Sequence, residues 1–402
     1  MVTRTSTIRD SVVEVNIGMR INTRNDSRRS SNVPYLLTPV LLTLVNAIPA
    51  MRQLHTIQLN HITLSRVYLY TILSSQCLVH LILNTVQLPK IRTFPPPKLR
   101  KLTLTTMSSW ETIQPLISQL ATSLEYLELQ RCAFLPLSQV QLPPLPCLQE
   151  LRHHQCRTRS TFPDKVQLNE LLRLGSQITH LHVTGHVHHE PVTACQKSLR
   201  YLFTDAWMLS ERIFGTEPFH RLMHLSLIFP RFSDTLDRLL IHSPFILDHF
   251  PKITSLHFEI PWVVRNDAIL MAQSQHNVQT LKLIINTAYG IEYESRKPRS
   301  CLPLEVSNDQ LHPAILPFDL QSLELEAFQV YGHPERSAMR CSQWVFGRVV
   351  PFVKDFGGNG LKRIGLKSSC MRVRPKSNSV EGGRVLWTQW VKVSNDSWQI
   401  LE

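Results

Sequence analysis

The 402 residues carry 43 Lys and Arg against 30 Asp and Glu, a formal charge of +13, with 43% hydrophobic residues and only 13 glycines. That balance excludes disorder as the default reading and fits a folded, loop-economical chain. The longest apolar stretch, Tyr35 to Met51, is broken by Thr38, Pro39, Thr43, Asn46 and Pro49, and Met1 to Asp10 lacks an apolar signal core, so the expectation is an intracellular protein, cytoplasmic or nuclear, without membrane contact.

The charge is uneven. Residues 1–100 hold 12 basic and three acidic residues, which places nine of the thirteen net positive charges in the first quarter, whereas Tyr201 to Ser300 is balanced. A uniformly basic nucleic-acid surface is therefore not what the total describes. Residues 1–33 read as a basic N-terminal segment. It holds a divergent first repeat at Val12, Val15 and Ile17, then a loop from Gly18 to Asn32 with Arg20, Arg24, Arg28 and Arg29. A helix is expected from about Pro34, capped by Ser31 or Asn32, with Tyr35, Leu36, Val40, Leu41, Leu44 and Val45 as its apolar stripe.

From there one skeleton recurs. Leu124-Glu125-Tyr126-Leu127-Glu128-Leu129-Gln130-Arg131-Cys132 reads L-x-x-L-x-L-x-x-C, the signature of a leucine-rich repeat. The same spacing returns at Leu54/Ile57/Leu59, Leu78/Leu81/Leu83, Leu99/Leu102/Leu104, Leu148/Leu151/His153, Ile178/Leu181/Val183 and Leu199/Leu202/Thr204. It continues at Leu222/Leu225/Leu227, Ile253/Leu256/Phe258, Val278/Leu281/Leu283, Leu320/Leu323/Leu325 and Leu361/Ile364/Leu366. Each unit predicts a short strand, because side chains alternate faces along a strand.

Connecting stretches such as Ile113, Leu116, Ile117 and Leu120, or Leu168, Leu171, Leu172 and Leu174, carry helical spacing. Phe94-Pro95-Pro96-Pro97 and Leu142-Pro143-Pro144-Leu145-Pro146 instead predict extended chain. The expected fold is an α/β leucine-rich-repeat solenoid over 34–370. It would be a right-handed curved horseshoe with a parallel sheet on the concave side and helices and extended segments on the convex side. Insertions are expected near 290–313 and 331–357, the second with a helix from Arg340 to Phe356. Residues 371–402 read as a C-terminal tail and cap built on Val385, Trp387, Trp390, Val391, Val393 and Trp398.

The outward strand positions follow from the same alternation. Acids and bases nearly cancel over them, while Tyr, Phe, Arg and His stand out from a rigid sheet, the residue types that protein-binding hot spots use. Tyr126, Arg152, His154, His180, His182, Tyr201, Phe203, His224 and His257 are the candidate protein-binding patch of the concave face. His180 and His182 share a face and sit near His186, His188 and His189, but no Cys or carboxylate stands at ligand spacing, so neither a metal nor a cofactor is expected. The eight cysteines form no Cys-x-x-Cys pair and read as buried reduced thiols. No G-x-S-x-G, Walker A, G-x-G-x-x-G or H-E-x-x-H occurs, so no enzyme is expected.

With units such as Leu78 to Asn84, Leu124 to Cys132 and Leu222 to Leu227, irregular repeat length, His-rich outward positions and long late insertions, residues 54–366 resemble the fungal F-box and leucine-rich-repeat proteins. In that family an N-terminal F-box module docks an adaptor subunit of a cullin–RING ubiquitin ligase and the solenoid captures the protein to be ubiquitylated. The resemblance implies a monomeric substrate-recognition scaffold with a protein partner on the concave face. The F-box itself is not evident: Met1 to Pro34 holds no Leu-Pro-x-Glu-type start, so the chain is expected to be a truncated product or a relative that kept the binding platform alone. The alternative is a nucleic-acid-associated protein using the basic first quarter, with Arg372, Arg374 and Lys376.

Overall fold

A computed structural model describes residues 12–18, 42–43, 45–91, 98–107, 110–130, 143–154, 172–173, 175–184, 197–206, 218–228, 249–261, 277–286, 319–329, 361–373, 380–394 and 397–401. The chain divides into two compact units, Met1–Leu199 and Arg200–Glu402. Each is described by itself.

In unit one, seven strands pair in sequence order: β1 (Glu14–Gly18), β2 (Thr56–Asn60), β3 (His80–Asn84), β4 (Lys101–Thr105), β5 (Tyr126–Gln130), β6 (Glu150–His154) and β7 (His180–Thr184). All these pairings are parallel and in register, so that Val15, Ile57, Leu81, Leu102, Leu127, Leu151 and Leu181 form one transverse row. From Ile57 to Leu181 that row has no solvent exposure at all. Each such burial stabilises by about 1.5–3 kcal/mol, and a slip by one residue would turn the whole row to solvent.

The register is held at the start of each strand by one repeated device. The His55 carbonyl accepts from the amides of both Val79 and His80 at 2.9 Å, and the Val79 carbonyl from Arg100 at 3.0 Å and Lys101 at 2.9 Å. The Arg100 carbonyl does the same for Glu125 at 2.8 Å and Tyr126 at 3.0 Å. At the far ends of β2, β3 and β4, His61, Thr85 and Thr106 take φ values of 54°, 53° and 52°. Their amides donate to Asn84, Thr105 and Gln130 carbonyls of the next strand at 2.9, 2.8 and 2.7 Å. The left-handed turn thus aims an amide that would otherwise face solvent.

Two α-helices are described in the connections. The first, α1 (Arg66–Leu73), joins β2 to β3; the Ser65 hydroxyl caps it by accepting from the Tyr68 amide at 3.2 Å, and Leu69, Ile72 and Leu73 are its buried face. The second, α2 (Trp110–Gln119), joins β4 to β5 and buries Ile113, Leu116 and Ile117 of the expected stripe, with Leu120 buried just past its end. A 3-10 turn at Ile48–Ala50 precedes β2, with Val45 and Ile48 buried. The described part of the Pro143–Pro146 connection is non-helical, as its prolines dictate.

In unit two, β8 (Tyr201–Asp205), β9 (His224–Ile228), β10 (Ser255–Pro261), β11 (Thr280–Asn286), β12 (Ser322–Gln329) and β13 (Arg363–Val373) also run parallel in sequence order. Leu202, Leu225, Leu256, Leu281, Leu323 and Ile364 form its buried row. The doubly accepting carbonyl returns at Met223, for Thr254 at 2.9 Å and Ser255 at 3.1 Å. Then the direction reverses: β14 (Val380–Ser394) pairs antiparallel with β13, and β15 (Ser397–Leu401) antiparallel with β14. The expected cap residues Val385, Trp387, Trp390, Val391 and Val393 lie on β14 and Trp398 on β15. This hairpin covers the last parallel edge, which would otherwise offer unpaired amides and carbonyls.

Both units are thus open, repetitive parallel ladders with few helices, consistent with a solenoid-like α/β fold. In every triplet read from sequence the second and third residues fall on a strand and the first stands two residues before it, including the divergent first triplet at β1. The helix expected from Pro34 is described only at its end. Gly18, read as the start of a loop, is the last residue of β1; the rest of that loop, 19–32, the insertion 290–313 and the helix 340–356 lie outside the described residues. No described helix is long and apolar enough to cross a membrane.

Two expectations need correction. Thr103, Ser226 and Asp205, read as outward, are 8%, 2% and 4% exposed. Thr103 and Ser226 are short side chains roofed by longer neighbours on strands about 4.8 Å away. The cysteines are not uniformly buried: Cys77 is half-buried and Cys147 exposed, its thiol donating to the Thr122 carbonyl at 3.3 Å. Each stands just before the first leucine of its unit, a position the core does not cover.

Candidate functional site

The outward face of β5–β7 brings five candidates together in unit one. Register places Glu128 beside Arg152, Gln130 beside His154, Glu150 beside His180, Arg152 beside His182, and His154 beside Thr184. The Arg152 guanidinium lies over the Tyr126 ring at 5.3 Å from its centroid. It donates from Nε and Nη2 to one Glu150 oxygen, at 2.7 and 2.6 Å. The Tyr126 hydroxyl donates to Glu128 Oε2 at 2.6 Å, and the Thr103 hydroxyl reaches the same oxygen at 3.3 Å. His80 meets Tyr126 edge-on, ring centroids 5.9 Å apart, and its Nε2 lies 3.1 Å from the Thr103 hydroxyl. A cation, an aromatic face and two carboxylates are thereby locked into one partly exposed cluster.

The electrostatics follow from that packing. Burial, the hydrogen bond to Glu128 and the negative charge of Glu128 raise the Tyr126 phenol well above its ordinary value, so it stays a donor. Burial works against the Arg152 charge, but the hydrogen bond to Glu150 and the proximity of Tyr126, Glu150 and Glu128 outweigh it and raise its pKa. His182 goes the other way: burial first, then the positive fields of Arg152, His154 and His180, push its pKa down to about 3. His80 is lowered as well, by burial and by Lys101. His182 is therefore a neutral imidazole at physiological pH. His154 Nδ1 lies 2.9 Å from the Thr184 hydroxyl, and its Nε2 is 4.0 Å from Glu128. His180 is exposed, with Nδ1 2.9 Å from the Thr179 hydroxyl.

The other four candidates stand in unit two. Tyr201 and His224 are register partners with rings tilted by 35° and centroids 6.1 Å apart. Phe203 lies beside Ser226, whose hydroxyl is 2.9 Å from His257 Nδ1. Ser226 is the short residue that stands in register between Phe203 and His257.

The nominated residues thus form a tightly bonded group on β5–β7 of unit one and, separately, an aromatic and imidazole group on β8–β10 of unit two. Glu128, Glu150, Thr103 and His80 complete the first group and were not among the nominated residues. The signal that could have found them is the register itself, which sets an acid beside an outward base on the adjacent strand. Among the described residues no group of three or more His, Cys, Asp or Glu could hold a metal ion. No protein-family model matches the sequence, and neither does any curated protein.

Proposed function

We propose that the chain is a non-catalytic protein-interaction scaffold of leucine-rich repeats, whose outward strand faces capture a protein partner, as the substrate-recognition part of an F-box-type ubiquitin ligase subunit. The observation that carries this reading is the Tyr126–Arg152 cluster. Its aromatic ring and guanidinium are stacked at 5.3 Å and bonded in place before any partner arrives, and ordering side chains in advance lowers the entropic cost of association. Acidic neighbours Glu128 and Glu150 make this face suited to a protein surface of mixed charge rather than to a phosphate backbone. The ligase role rests on resemblance alone and extends to cullin–RING subunits as further partners.

The test is affinity capture from the native cell with wild type and with Tyr126→Ala/Arg152→Ala, read by quantitative mass spectrometry after nuclease treatment. The proposal expects a defined set of proteins that the double variant loses by at least about tenfold. Cullin-ligase subunits within the wild-type set would support the adaptor role. A set unchanged in the variant, or one that vanishes on nuclease treatment, would contradict the scaffold reading and favour nucleic-acid association through the basic first quarter.

A further inference from the structure

The repeat that builds the outward face also builds a second surface, at the edge where the strands of unit two begin. The residues flanking the first apolar position of each unit stack there from strand to strand. One row runs Arg221, Lys252, Asn277, Asp319; Arg200 and Gln279 belong to the row beside it. These side chains line a single open groove of ≈ 670 Å³. Because β9 to β12 pair in register, successive members of a row are about 4.8 Å apart. Three cations therefore gather within roughly 10 Å at one end, with one carboxylate at the other.

Among the described residues no carboxylate pairs with Arg200, Arg221 or Lys252. The equivalent position in unit one shows the contrast: Arg100, which like Arg200 follows the first leucine of its unit, meets Glu125 at 3.4 Å. All three cations are exposed, so the groove presents net positive charge to whatever enters it.

We infer that this groove, from Arg200, Arg221 and Lys252 to Asp319, is a second docking surface that takes an extended acidic peptide segment of a protein partner. An extended chain rises about 3.3 Å per residue, so four or five residues span the rows. Acidic side chains meet the three cations. Asn277, whose Nδ2 already donates one hydrogen bond to the Pro251 carbonyl at 3.1 Å, keeps its oxygen and second amide hydrogen, and Gln279 offers its whole amide, to match the donors and acceptors of a peptide backbone, and Asp319 selects a basic or amide residue at the far end. A nucleic acid is disfavoured because its next phosphate along the groove would face Asp319. This surface is independent of the Tyr126–Arg152 cluster.

Fluorescence anisotropy on the full chain tests the inference. The probe is a fluorescein-labelled peptide of about eight residues, alternating Glu and Ala and ending in Lys; the controls are its Glu-to-Gln counterpart and an oligouridylate of equal charge. The expected result is saturable binding of the acidic peptide that weakens between about 50 and about 300 mM salt. It should fall at least about tenfold in Arg221→Glu/Lys252→Glu and persist in Tyr126→Ala/Arg152→Ala. Arg221→Gln/Lys252→Gln, checked by circular dichroism, should give a smaller loss and guards against misfolding of the reversal variant. Absence of saturable binding, equal binding of the Gln peptide, tighter binding of the oligouridylate, or indifference to both Arg221/Lys252 variants would each overturn it. Loss of peptide binding in the Tyr126/Arg152 variant would show that the peptide uses the outward face instead.

Discussion

His182 links the pH to the stability of the outward face. Its pKa falls from the ordinary 6.5 to about 3 in the folded chain, by burial and by the positive fields of Arg152, His154 and His180. The folded state therefore resists protonation while the unfolded state accepts it. The resulting stability is fully present above about pH 6.5 and is lost progressively as pH falls toward 3. At about pH 5 the unfolded imidazole is protonated and the folded one is not; the roughly 1.5 units below 6.5 correspond to about 2 kcal/mol at most. His182 is only part-buried, and screening by solvent reduces this to about 1 kcal/mol.

The assay is thermal unfolding of wild type and His182→Gln at about pH 7.5 and about pH 5. Wild type should lose about 1 kcal/mol more than the variant over that interval, a difference of roughly 2–4 °C in Tm for a unit of this size. Parallel pH profiles would refute the reasoning, because His182 would then not be shielded as its neighbours require.

Three further substitutions probe the architecture. Leu127→Ala removes a fully buried side chain from the middle of the unit-one row and should cost about 3 kcal/mol in urea unfolding; a cost below about 1 kcal/mol would mean the row is not packed. Thr106→Asn keeps the left-handed turn at φ 52° with a residue that tolerates it better than a β-branched one, and should stabilise by about 1 kcal/mol in thermal melts, whereas destabilisation would count against the turn. Tyr126→Phe deletes the 2.6 Å hydrogen bond to Glu128 and should cost about 1 kcal/mol while sparing the ring contact with Arg152; near-zero cost would show Glu128 to be served by water instead.

The strands were legible because a half-buried parallel strand needs apolar residues at alternate positions, and the chain repeats that pair at nearly constant phase. Even His153 and Thr204, polar residues in leucine slots, turned inward as the phase demanded, at 2% and 0% exposure. Alternation gives a direction, not an exposure. Thr103 and Ser226 point outward yet are covered, because cover depends on the length of side chains one strand away. The same limit hid the acidic partners of Arg152, and it hid the groove at Arg200, Arg221 and Lys252, which lies in a stretch whose linear charge is balanced. Charge in a repeat protein acts through transverse rows, and a row takes one residue from every two or three dozen along the chain.

The central claim is that the outward strand face, rather than the helical side of the repeats, meets the partner. A photo-crosslinking residue, p-benzoylphenylalanine, placed at His180 on that face or at Val67, 69% exposed on α1, tests it in the native cell. The account predicts defined protein adducts from position 180 and none from position 67. Adducts confined to position 67, or nucleic-acid adducts from position 180, would contradict it.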